Sequence, residues 1–225
     1  MPPLATLLDR WANEPGQPRL TWYGRAGERV ELTGRVLHTW VAKAANLLAD
    51  EADAQLGTDV QLDLPAHWRA AVWALATWAC GATVVLGEDA PDVLVTHRSV
   101  APVGSTVVIV IALPALAMSA DDVPSGAVDG AAEAMSQPDA LIQPVSSVGA
   151  TLRWDDQEDD LLATDIAGDR VLVQVDATDE ANDALAALLR RMVGTWANGG
   201  SVVLVADPDA DVDRIATQES ARLIG

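Results

Sequence analysis

The chain has 225 residues, half of them apolar, and carries 33 acidic against 14 basic side chains, for a net charge of −19. That length suits one large domain or two small ones around a real core, and so acidic a surface repels phosphate backbones and anionic lipid, which argues against nucleic acid and membranes as partners. Cys80 is the sole cysteine, so neither a disulfide framework nor a thiolate metal cluster can be assembled within one chain, which fits a reducing cytoplasm.

In chain order, MPPLATLLDRWANEPGQP lacks a basic n-region and meets Asp9 too early for a signal peptide. RLTWYG (19–24) and ERVELT (28–33) flank a glycine-containing turn and predict a hairpin. Thr33 is placed to N-cap a long helix reaching about Glu51, with Val36, Leu37, Trp40, Ala44, Leu47 and Leu48 as its apolar stripe. DVQLDL (59–64) predicts a strand, and Trp68, Val72, Leu75 and Ala79 then fall at helical steps before Gly81 and an apolar run, Thr83 to Leu86. Further strands are predicted at 92–96, 106–112 and 140–143, with DDVPSGAVDG (121–130) as a surface loop into a short helix. The longest apolar run, TVVIVIALPALAM (106–118), is too short to span a bilayer and contains Pro114, so the chain is read as cytoplasmic. DRVLVQV (169–175) predicts another strand, followed by a helix with Leu185, Leu188, Leu189, Met192 and Trp196 on its stripe, then Gly199 and the run Ser201 to Val205.

One phrase occurs twice: TWACGATVVL at 77–86 and TWANGGSVVL at 195–204, identical at seven of ten positions. Each copy closes a strand, helix, glycine, strand sequence, the pattern of a βαβ crossover whose helix a left-handed glycine stops. Unbroken apolar strands suit parallel sheets covered on both faces. Convergence on helix-stopping glycines followed by valines is one explanation; a duplication, or two subdomains built alike, is the one we prefer. The predicted fold is α/β, with two similar βαβ-based subdomains, mostly parallel sheets and an N-terminal hairpin. Residues 1–140 form the first subdomain in this reading and 141–225 a shorter second one.

RLTWYGRAGERVELTGRVLHTWVAKAANLLADE followed by DVQLDLPAHWRAAVWALATWACGATVVL, with its strand ending at Pro65 and its Gly81-Ala82 step, resembles the N-terminal region of the adenylate-forming superfamily. That superfamily comprises acyl-CoA synthetases, peptide-synthetase adenylation domains and luciferases. GDRVLVQVD (168–176) through WANGGSVVLVADPDADVDRI (196–215) is similar to its next subdomain. The resemblance is greatest to short actinobacterial homologues of the AMP-binding enzymes, and it implies two similar stacked α/β subdomains.

The resemblance also implies a phosphate-holding loop rich in Gly, Ser and Thr that ends in a lysine, because backbone N–H groups and a cation together offset phosphate charge. ALIQPVSSVGATLRW (140–154) stands in that place. Ser146 keeps a serine, Ser147, Val148 and Gly149 replace the hydroxyl-bearing run, Ala150 stands where a glycine belongs, and Arg153 stands at the lysine. Arg153 can meet an anion, though with a fork in place of a point charge. DDQEDD (155–160) follows at once and would repel a polyphosphate. An ordinary solvated turn into a helix start, where acids suit the dipole, is the alternative. The sequence reaches Gly225 before the family's adenine and Mg²⁺ motifs, so no catalytic residue is carried over, and Lys43 lies too early to replace the loop lysine.

Other constellations are weaker. Asp207, Asp209 and Asp211 have the first spacings of a Ca²⁺ loop, but Val212 and Gln218 occupy the positions of its glycine and its bidentate glutamate, and a solvated loop is preferred. His38, His67 and His97 form no metal pattern, so no metal ligand is assigned. His67 follows a strand end, where open α/β sheets place ligands, and is kept as a ligand-cleft candidate beside the plainer reading of helix capping and packing against Trp68. No GxSxG, SxxK or GxGxxG is present. Trp11, Trp22 and Trp40 are read as core, with a partner-facing patch as the alternative.

These observations lead to the expectation of a truncated, catalytically inactive homologue of AMP-binding enzymes that works as an interaction or regulatory protein. It would need no cofactor, and its partner would be another protein or a second copy. The alternative is a small-molecule binding module that retains affinity for an adenylate, acyl or CoA-like ligand, in a pocket near His67 and Ser146. A third possibility, an active ATP-dependent ligase, requires a partner chain to supply the missing groups.

Overall fold

A computed structural model describes residues 4–224, apart from 15, 116, 148, 156, 164–167 and 177–180. Helix α1 (Leu4–Asn13) buries Leu4, Leu7, Leu8 and Trp11 along one stripe. Strands β1 (Pro18–Tyr23) and β2 (Arg29–Thr33) pair antiparallel as the predicted hairpin. The Thr33 side chain accepts the Val36 N–H at 3.3 Å and so starts α2 (Gly34–Ala52). That helix buries Leu37, Val41, Ala44, Ala45, Leu47 and Leu48. Val36 falls off this stripe and is 40% exposed.

The chain continues through β3 (Asp59–Asp63), α3 (Trp68–Cys80), β4 (Thr83–Leu86), β5 (Val93–Thr96) and β6 (Val107–Val110). The short β7 (Val128–Asp129) leads into α4 (Gly130–Ser136), which Asp129 caps by accepting the N–H groups of Ala131 and Ala132. A second hairpin, β8 (Thr151–Trp154) and β9 (Gln157–Asp160), precedes β10 (Arg170–Gln174), α5 (Asn182–Ala197), β11 (Ser201–Val205), α6 (Val212–Gln218) and β12 (Arg222–Ile224).

The strands form two sheets, ordered β12-β10-β11-β1-β2 and β7-β6-β5-β3-β4-β8-β9. Aligned on the repeated phrase, they match strand for strand. β5-β3-β4-β8 are mutually parallel and end in the antiparallel β9, just as β12-β10-β11-β1 are parallel and end in the antiparallel β2. The seven-stranded sheet adds only β6 and β7, both parallel.

The repeated letters have repeated tasks. After α3, Gly81 takes φ 85° and its N–H reaches Trp78 O at 3.0 Å, while Ala82 N–H reaches Thr77 O at 3.1 Å. After α5, Gly199 also takes φ 85°, with Gly199 N–H to Trp196 O at 3.0 Å and Gly200 N–H to Thr195 O at 2.9 Å. Both are left-handed stops that satisfy orphaned helix carbonyls. The two tryptophans are fully buried, and each donates its indole N–H to a carbonyl in the neighbouring sheet strand: Trp78 to Thr151 O at 2.7 Å, Trp196 to Arg19 O at 2.8 Å. Those acceptors lie in β8 and β1, the equivalent strands of the two sheets.

One expectation, the strand at 140–143, needs correction. Across the expected boundary at residue 140 the two hairpins are exchanged between the sheets. β1-β2 precedes β3 in the chain yet pairs with β11, while β8-β9 precedes β10 yet pairs with β4. A hairpin satisfies its own inner backbone groups, so local pattern leaves open which sheet it joins. Residues 140–143 form no strand, because the Asn46 side chain takes their backbone groups in place of a neighbouring strand, donating to Pro138 O and Ala140 O and accepting from Ile142 N–H. Trp11 and Trp22 are 0% and 2% exposed, in agreement with their reading as core. Trp11 stacks edge-on against Trp196 with ring centroids 5.2 Å apart.

Candidate functional site

The segment that resembles a phosphate loop lies across the C-terminal end of α3. Ser146 N–H donates to Ala79 O at 3.0 Å, and its hydroxyl covers Gly81, where a Cβ would stand 2.7 Å from Oγ. Ser147 is exposed, and Val148 lies outside the described residues. At Gly149 the space beside the backbone is filled by Asp160, whose carboxylate would lie 2.5 Å from a Cβ there. Asp160 Oδ1 accepts the N–H groups of Ala150 and Leu162, each at 3.1 Å, while Leu161 N–H donates to Ala150 O at 3.0 Å. A carboxylate from the chain's own acidic run thus holds a backbone N–H of the loop.

Arg153 projects from β8 beside Val85 and is bound by two acids, Asp59 at 2.6 Å and Glu88 at 3.2 Å. The hydrogen bond to Asp59 leads in holding its guanidinium above the ordinary arginine range, with Glu88 adding to it against partial burial. The structure therefore gives Ser146, Gly149 and Arg153 three different sets of partners: a helix terminus, an aspartate and an ion-pair triad.

His67 lies at the opposite end of α3 from Ser146. The helix has 13 residues, which separates its ends by about 20 Å, so the two do not share the pocket expected from the sequence. His67 caps α3, its Nδ1 accepting Arg69 N–H at 3.2 Å, and packs edge-on against Trp22 with ring centroids 4.4 Å apart. It is 4% exposed, and burial, reinforced by Arg69 and His97, pushes its pKa down to about 3.

Residues that sequence reasoning passed over gather near this end. Arg69 is buried, lies over the rings of Trp68 and Trp40, and donates to the carbonyls of Leu113, Pro114 and Ala115. Burial lowers its pKa to about 10, with Glu28 opposing. At the C-terminal edge of the seven-stranded sheet, Asp63 on β3 accepts from Thr96 Oγ1 at 2.7 Å and from Arg98 Nε at 3.0 Å. His97, Leu113, Ser119 and Asp122 border a cleft of about 320 Å³ there. The available signal was the polar pair His97-Arg98 directly after an apolar strand, at the edge where parallel sheets place ligands.

Lys43, the only lysine, fastens a loop. Its Nζ reaches Gln137 O at 2.5 Å, Met135 O at 3.3 Å and Asp139 at 2.9 Å. Asp207 and Asp211 serve local structure, the first accepting Asp209 N–H at 3.1 Å and the second capping α6 through Arg214 N–H at 3.0 Å. No helix among the described residues is long and apolar enough to cross a membrane.

No protein-family model matches the chain. Among solved structures it is similar to the acyl-CoA synthetase of Brucella canis, with TM-score 0.71 and 16% identity over 99% of this chain and 47% of that one. It is also similar to the acetoacetyl-CoA synthetase of Streptomyces lividans, with TM-score 0.63 and 18% identity over 97% and 41%. The N-terminal subdomain of Klebsiella oxytoca NpsA, solved with 3-hydroxybenzoyl-AMSN, gives TM-score 0.61 and 13% identity over 97% and 57%. The chain thus has the fold of the N-terminal part of adenylate-forming enzymes and spans about half the length of the synthetases it matches. By sequence it is 33% identical over 233 aligned positions to the TIGR03089 family protein of Mycobacterium tuberculosis, covering 94% of this chain and 93% of that one. With that identity along nearly the whole of both chains, this protein belongs to the TIGR03089 family.

Proposed function

We propose that this protein uses the architecture of an adenylate-forming enzyme without adenylation, as an interaction or regulatory protein of the cytoplasm. The observation that carries the reading is the state of the loop: Arg153 is bound by Asp59 and Glu88, and the Ala150 N–H by Asp160. A triphosphate would have to displace three carboxylates from the groups meant to hold it, against a net charge of −19. The same charge disfavours nucleic acid or an anionic membrane as partner, which leaves another protein, or a second copy despite its like charge.

The test is ATP–pyrophosphate exchange by the purified protein, together with its melting temperature in ATP plus Mg²⁺, AMP, CoA and a non-hydrolysable acyl-adenylate. A ligand at a hundred times its Kd adds about 2.7 kcal/mol, or roughly 5–10 °C in Tm for a chain of this size. No exchange and no shift is the expected result; exchange above background overturns the reading.

A second reading, a binding module for an adenylate, acyl or CoA-like ligand, draws on the cleft beside His97 at the C-terminal edge of β5 and β6. A Tm shift without exchange, abolished by filling that cleft with Ala112→Phe, would favour it.

A further inference from the structure

A second cleft lies away from His97, at the C-terminal ends of α2 and α3, beside the bond from Ser146 N–H to Ala79 O. It has a volume of about 350 Å³ and is bordered by the last turns of α2 and α3 and by residues 137–144. Its opening follows from small side chains on the facing helices, Ala45 and Ala49 on α2 and Ala79 on α3, where larger ones would close it. Its outer wall is fixed in advance. Asn46, 5% exposed, uses both ends of its amide on residues 138–142, while Lys43, one turn earlier, holds the carbonyls of Met135 and Gln137. Leu141, Ile142 and Pro144 supply apolar surface on that wall, and Ile142 is 68% exposed.

The charge of the site has a definite sign. The C-terminal turns of both α2 and α3 border the cleft, and neither carries a basic residue in its last turn. Two helix C-termini bring partial negative charge, and the exposed carboxylate of Asp50 stands at the rim. Lys43, the nearest cation on α2, is committed to Asp139 and to carbonyls. An anionic acyl or adenylate group would meet repulsion here, whereas an ammonium would meet complementary charge next to an apolar wall.

We propose that this cleft is a binding site for a small organic amine: an apolar body against Ala49, Leu141 and Ile142, with its ammonium toward Asp50 and the two helix ends. The volume falls within the range of small-molecule sites, roughly 300–1,000 Å³. The site does not depend on the proposed lack of adenylation, since neither the ion pairs of Arg153 nor the bond from Ala150 N–H to Asp160 borders it.

The experiment titrates the full chain with three near-isosteric probes, phenethylamine, 2-phenylethanol and phenylacetate, following ¹H–¹⁵N amide shifts. Phenethylamine is expected to move the amides of Ile142 and Cys80 and to bind about fivefold more tightly than the alcohol, the advantage shrinking with added salt. Phenylacetate is expected not to bind. Asp50→Asn should bring amine and alcohol close to parity, and Ala49→Phe should abolish binding while the rest of the amide spectrum keeps its native dispersion. Equal binding of all three probes, retained binding in a folded Ala49→Phe protein, or no shift with millimolar phenethylamine would each overturn the proposal. None of these outcomes bears on ATP–pyrophosphate exchange, so this site and the loop reading fail separately.

Discussion

Lowering the pH from 7 to 5 should destabilise this protein in part through His67. The imidazole is buried, accepts the Arg69 N–H at Nδ1 and lies near the Arg69 guanidinium, so protonation would bury a second cation beside the first and remove the acceptor that caps α3. Its pKa falls from 6.5 to about 3 on folding. Above pH 6.5 both states are neutral and the shift has no effect on stability. Below it the unfolded chain takes up a proton that the folded protein refuses, so stability falls by about 1.4 kcal/mol per pH unit until the folded value is reached. From pH 6.5 to 5 that amounts to about 2 kcal/mol, a large fraction of the 5–15 kcal/mol typical of a domain. The assay is urea unfolding followed by tryptophan fluorescence at half-unit pH steps, comparing the native chain with His67→Asn, which keeps a capping acceptor but does not titrate. The variant loses the contact with Trp22 and should be less stable at pH 7, by about 1–2 kcal/mol. Groups remote from His67 contribute alike in both proteins and cancel in the difference. The gap between the two proteins should therefore close by about 2 kcal/mol on going to pH 5. A gap constant to within about 0.5 kcal/mol would refute the assignment of a buried, neutral His67.

Glu219 should act in the same direction at lower pH. Burial works against its charge, but hydrogen bonds from Tyr23, Arg29 and Arg170 outweigh it and hold the carboxyl below its ordinary value of 4.5. Its stabilising effect is present above that value and is lost as pH falls through the folded one, so Glu219→Gln should flatten the acid limb of the unfolding curve. Trp78→Phe and Trp196→Phe each remove the indole donor from a partly buried carbonyl, Thr151 O or Arg19 O. Each should cost about 1–3 kcal/mol in urea unfolding, and unequal losses would show that the two copies of the repeat no longer share one role. Asn46→Ala removes three hydrogen bonds to residues 138–142. Amide exchange at Ile142 should accelerate by at least about tenfold, with a loss of roughly 1–3 kcal/mol in global stability.

Much of the fold was legible along the chain because it is written in short-range terms. The hairpin alternation, the Thr33 cap, the helical stripes and the two glycine stops each depend on residues within a few positions of one another, and the repeated phrase encodes the same cap and the same indole donor twice. Which sheet a hairpin joins depends on surfaces 68 residues apart for β8 with β4 and 182 for β1 with β11, so the exchange of β1-β2 and β8-β9 left no local trace. The absence of a strand at 140–143 has the same origin: Asn46, some 95 positions earlier, satisfies the backbone that a strand would otherwise have served. The resemblance drew attention to residues 140–154 from their letters, but only the packing of β3, β4 and β9 around them decided that Asp59 and Glu88 bind Arg153 and that Asp160 occupies the Ala150 N–H. Local pattern determines which faces are apolar and where helices begin and end; the pairing of charges and the opening of clefts depend on distances that arise only once those faces have met.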